Sequence, residues 1–104
     1  MTPARLPALE QAFVDAEWLA VGAPSDFEIG EDAVGSVYLW RRVAGAWTYH
    51  SKLMAGDPQK SASFGQTLLL RGDDLWIAAP SVGGAGSVYR FHFDGTAWTQ
   101  NLKL

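Results

Sequence analysis

Cysteine is absent from this 104-residue sequence, which excludes disulfides, thiolate nucleophiles and cysteine-ligated zinc. Charge is sparse too. The eight Lys and Arg are scattered, and eleven Asp and Glu outnumber them to leave a formal net charge of −3. Without a basic cluster to neutralise phosphates, nucleic acid is not an expected partner. No apolar run approaches the roughly 18 residues of a bilayer-spanning helix, so membrane insertion is not expected. Residues 1–11, MTPARLPALEQ, show no signal-peptide pattern. Also missing are a G-x-S-x-G elbow, a paired-acid motif and a phosphate-cradling loop; Gly83-Gly84-Ala85-Gly86 lacks the following helix and Lys. The expectation is a non-enzymatic protein with no catalytic residues, no metal and no cofactor.

What is present is β-structure. Hydrophobic residues make up 48% and charged residues 18% of the chain, the balance of an ordinary globular domain. Pro3 and Pro7 make residues 1–7 a lead-in. Strands are predicted at Ala8–Val14 and Trp18–Val21, then at Gly35–Trp40 running on through Arg41 and Arg42, and at Trp47–Leu53. Residues 54–63, MAGDPQKSAS, read as a surface connection. A second set follows at Phe64–Leu70, Leu75–Ala78, Gly86–Phe93 and Trp98–Leu104, with Asp94-Gly95 as a hairpin signal before the last strand.

The two sets are copies of one unit. Leu19 and Leu75, and Pro24 and Pro80, are separated by 56 positions. Past the loop at 25–34, Gly35-Ser36-Val37-Tyr38 matches Gly86-Ser87-Val88-Tyr89, and Ala46-Trp47-Thr48 matches Ala97-Trp98-Thr99, both at 51. An insertion confined to a loop is what a structural repeat predicts.

These motifs, with Phe64-Gly65, Leu75 to Pro80 and Val21-Gly22-Ala23-Pro24, resemble the FG-GAP repeat of integrin α-chain propellers and of bacterial surface and secreted proteins. The resemblance runs from about Ala8 to the C-terminus. It implies an all-β fold of two four-stranded antiparallel propeller blades, the first at 8–53 and the second at 64–104, and an extracellular or cell-surface setting. Ala8-Leu9 stands where the first copy should carry Phe-Gly, so its first strand is expected to be degenerate. The family's calcium loop is not carried over, because Asp15-Ala16-Glu17 and Arg71-Gly72-Asp73-Asp74 are too short to supply six to eight oxygens.

Propellers close with about four to eight blades, and two blades leave apolar faces bare. The chain is therefore expected to complete a ring as a cyclic homo-oligomer, a trimer giving six blades, or to belong to a longer propeller. In a four-stranded meander the long loops at 25–34 and 81–85 share one end with the connection at 54–63. A protein or glycan ligand is expected there, on Asp26, Phe27, Glu28, Asp57, Gln59 and Ser81. The alternative is a self-assembling structural unit with no dedicated ligand. The acidic cluster of Asp26, Glu28, Glu31 and Asp32 reads as a solvated loop, and Arg71-Gly72-Asp73 as a turn. Trp47 and Trp98, and Trp40 and Phe91, recur at matching positions and are expected to pack in the core. His50 matches Asn101 and His92 matches Arg41, so both read as surface or strand-face residues.

Overall fold

A computed structural model describes residues 11–23, 35–56, 64–80 and 86–104. All regular structure among them is β. The strands are β1 (Gln11–Val14), β2 (Trp18–Ala23), β3 (Ser36–Val43), β4 (Ala46–Leu53), β5 (Thr67–Arg71), β6 (Asp74–Ala79), β7 (Ser87–Phe93) and β8 (Trp98–Lys103). They form two four-stranded antiparallel sheets, each in sequence order, β1 to β4 and β5 to β8. Residues 1–7, and with them the lead-in reading, lie outside the described residues.

The repeat holds pair by pair. Val14↔Leu19 corresponds to Leu70↔Leu75, and Leu19↔Trp40 to Leu75↔Phe91. Even the irregularity recurs, with a bulge between Leu39 and Trp40 and another between Arg90 and Phe91. Three of the hairpin turns carry positive φ, at Ala44-Gly45, at Gly72 and at Gly95. The Ala44-Gly45 turn has φ of 52° and 82°, the pattern of a tight hairpin, and Gly72 has φ of 59°. Gly72 thus serves the hairpin between Arg71 and Asp74, as the turn reading of Arg71-Gly72-Asp73 predicts. The Asp94-Gly95 signal lies in a wider turn. Asp94 Oδ1 accepts from the backbone of Thr96 (2.8 Å) and Ala97 (2.9 Å), so a side chain takes the place of a ladder carbonyl.

Strand alternation decides the core. Along β5 and β6 the buried positions are Leu68, Leu70, Leu75, Ile77 and Ala79, every second residue, as a pleated strand requires. With Tyr89, Phe91, Phe93 and Trp98 they form the inner face of the second sheet. The first sheet contributes Trp18, Ala20, Val37, Leu39 and Leu53 to the same core. Trp18 crosses between the sheets, its ring 4.8 Å from Phe93 and 5.1 Å from Trp98 in edge-on geometry.

The expectation that Trp47, Trp98, Trp40 and Phe91 all pack in the core is corrected at two of the four. Trp98 and Phe91 are buried, but Trp47 is 41% exposed and Trp40 half-buried. The reason is positional. Trp98 and Phe91 lie on a face that the other sheet covers, whereas Trp47 and Trp40 lie on the outer face of the first sheet.

Candidate functional site

The two ends of the sheet pair differ in kind. At one end β2 finishes beside the start of β3, in the pair Ala23↔Ser36, and β6 beside the start of β7, in Ala79↔Ser87. β4 finishes at the same end, with Leu53 opposite Val37. Gly65 extends the second sheet there, its N–H donating to Ala78 O at 3.1 Å, and the parallel β-bridge between Gly35 and Phe64 ties the two sheets together. The three long connections therefore leave from and return to one end. Asp26, Phe27, Glu28, Asp57, Gln59 and Ser81, together with the acidic cluster at 26–32, lie outside the described residues.

The opposite end carries the short turns and a feature that sequence reasoning missed. An open cleft of about 530 Å³ is lined by Glu17, Arg41, Asp73, His92 and Asp94, with Phe93 at its floor. Arg41 is its organising group. Its Nε donates to Glu17 Oε2 at 3.0 Å, and its guanidinium stands 5.2 Å from the Trp18 ring centre and 5.1 Å from that of Phe93, a geometry in which an aromatic face stabilises a cation. Asp15 Oδ1 fixes the neighbouring turn by accepting from the backbone of Glu17 (2.8 Å) and Trp18 (2.7 Å). On the outer face of the second sheet, His92 Nδ1 lies 3.0 Å from Asp74 Oδ1. The available signal was the register. Once β2 is paired with β3, Trp18 stands opposite Arg41, and Glu17 comes within its reach.

Both histidines lie on strands, as expected, but in unlike places. His92 is exposed, whereas His50 is half-buried and meets Trp18 edge-on at 5.0 Å. Burial pushes the His50 imidazole below its ordinary value; the Arg41 charge adds to this, and a backbone hydrogen bond with Thr96 opposes it. The folded chain therefore holds the proton less readily than the unfolded one. Stability is full above the ordinary imidazole value of about 6.5 and is lost as the pH falls through and below it. Replacing His50 with Gln is expected to flatten the fall in melting temperature between about pH 7 and pH 5, as thermal unfolding across that range would measure. An unchanged slope would show that His50 does not carry the effect.

Chemically the cleft is satisfied with itself. The Arg41 guanidinium is engaged by Glu17 and two rings, and Asp94 by backbone N–H groups that hold its carboxyl below the usual range. Among the described residues no three or more His, Asp or Glu are grouped so that they could hold a metal ion. No family model matches the chain, and no curated protein matches it.

Proposed function

We propose that the chain is a non-enzymatic recognition module of FG-GAP-like propeller blades, binding a glycan or protein across the end that gathers its long connections. The observation that supports this reading is the common end of the described strand termini. Ala23, Ser36, Leu53, Gly65, Ala79 and Ser87 frame one rim, and loops held on such a rigid rim are where binding residues concentrate. Phe27, in the longer of the paired loops and unmatched in the second copy, is the contact residue of this reading, with Asp26, Glu28, Asp57, Gln59 and Ser81 around it. The propeller is completed by further copies, three giving a six-bladed ring.

A glycan array probed with the labelled protein tests the reading. Phe27→Ala is expected to weaken a hit at least tenfold, about 1.4 kcal/mol, while leaving the assembled mass unchanged. Binding that survives the substitution removes Phe27 from the site. The absence of any glycan or protein hit from the assembled wild type favours the alternative, a structural unit without a dedicated ligand. A separate observation, the exposed apolar side chains on the two outer faces, bears on that alternative.

A further inference from the structure

The seam between the sheets joins two unlike faces, and the repeat shows where each face recurs. On the inner face of the first sheet lie Trp18, Ala20, Val37 and Leu39; their repeat partners are Asp74, Trp76, Val88 and Arg90. Those four share the outer face of the second sheet. Conversely, Leu70, Leu75, Phe91 and Trp98 on the inner face of the second sheet correspond to Val14, Leu19, Trp40 and Trp47 on the outer face of the first. Each outer face is a second edition of an inner one. The two outer faces are thus related to each other as the two sides of the seam are.

Exposure follows this correspondence. Among the described residues the exposed large apolar side chains are Val14 (59%), Val43, Trp47, Leu69 (46%) and Leu104 (69%). Four of these five are partners of seam residues. Val14 corresponds to Leu70, Trp47 to Trp98 and Leu104 to Leu53, all three buried, and Leu69 to Phe13, which packs against the core. Val43 alone corresponds to a turn residue, Asp94. Charge agrees. Phe93 and Trp18 meet ring to ring in the seam, and their repeat partners are Arg42 and Asp74, so the equivalent outer contact sets a cation beside a carboxylate.

We propose that a second copy of this chain docks head to tail, the outer face of its second sheet on the outer face of the first sheet. Leu69 and Trp76 of one copy then cover Val14, Leu19 and Trp47 of the next, and Asp74 lies beside Arg42. Val21, Ala23 and Tyr38 are already buried, so docking uses the half of that face nearer the short turns. A contact between unlike faces repeats until it closes a ring or runs on as a filament. The inference rests on the blade reading in one respect, the equivalence of the two sheets, and needs no ligand.

Complementation between variants tests it. Leu69→Glu spoils one face and Val14→Glu the other, both at exposed positions, with circular dichroism confirming that each variant folds. Light scattering behind a sizing column is expected to give a multimer for wild type and the 11.3 kDa protomer mass for each variant alone. An equimolar mixture should restore a 1:1 complex, because each variant keeps the face that the other lacks. A second pair, Arg42→Glu and Asp74→Arg, should each weaken assembly at least tenfold alone and recover when mixed. A monomeric wild type at all concentrations overturns the proposal and leaves the faces to blades of another chain. Loss of assembly in one variant only, with no recovery on mixing, overturns it in favour of a two-fold contact between like faces. Failure of glycan binding with complementation intact counts against the recognition reading alone.

Discussion

Trp18→Ala is expected to lower the melting temperature by roughly 15–25 °C, the consequence of about 3–5 kcal/mol lost when a buried tryptophan is truncated. Trp18 is 1% exposed and is the large aromatic that the first sheet sends into the second, against Phe93 and Trp98. Its removal also strips Arg41 of one of the two rings over which its guanidinium lies. Differential scanning calorimetry on the wild type and variant measures the effect. Trp18→Phe supplies the control. The indole N–H of Trp18 is buried without a hydrogen-bond partner, a penalty of about 1–3 kcal/mol that phenylalanine does not incur. The aromatic variant should therefore lose less than half of what alanine loses. Equal losses would mean that the indole's outer ring, and not aromatic packing in general, holds the seam.

Gly35→Ala is the second large effect, and its cause is steric. Gly35 has φ of 89°, and a Cβ there would stand 2.7 Å from Phe64 N and closer still to Phe64 O, so backbone must give way. The left-handed conformation costs a side chain about 1–2 kcal/mol, and forcing the joint apart adds about 1–3 more. A total near ~3 kcal/mol is expected, with the bridge between Gly35 and Phe64 broken. Gly45→Ala separates the two causes. Its φ is 82°, yet nothing stands within 4 Å of its Cβ position, so it should lose only the conformational part. Urea unfolding of both variants provides the comparison; similar midpoints would mean that the Gly35 joint yields without cost.

Much of this fold was legible because the repeat supplied two readings of each element. Ala8–Val14, with Glu10 and Gln11 among small and apolar residues, has a composition that a short helix could also use, and its match to Phe64–Leu70 decides for a strand. The unequal burial of Trp47 and Trp98 was not legible, since a repeat makes partners equal in sequence and only the position of a neighbouring sheet makes them unequal. The cleft at the short turns was hidden for a similar reason. Glu17 and Arg41 are 24 residues apart, and neither belongs to a motif; strand register alone brings them together. The residues assigned to ligand binding were chosen by topology, and topology fixes the end of the sheets but not the side chains that a ligand meets.

The two bulges change the parity of the outermost strands. Leu53 and Trp47 are six residues apart in one strand, so strict alternation would place them on the same side. With His50 skipped between Ser51 and Tyr49, Leu53 stands opposite Val37 on one side and Trp47 opposite Arg42 on the other. In β8 the skip at Asn101 does the same, turning Trp98 toward Trp18 while Leu104 pairs with Val88 on the far side. One strand thereby serves two neighbours, its early half facing one way and its late half the other. Deleting the skipped residue would restore strict alternation along the strand while leaving Trp98 in its place opposite Phe93.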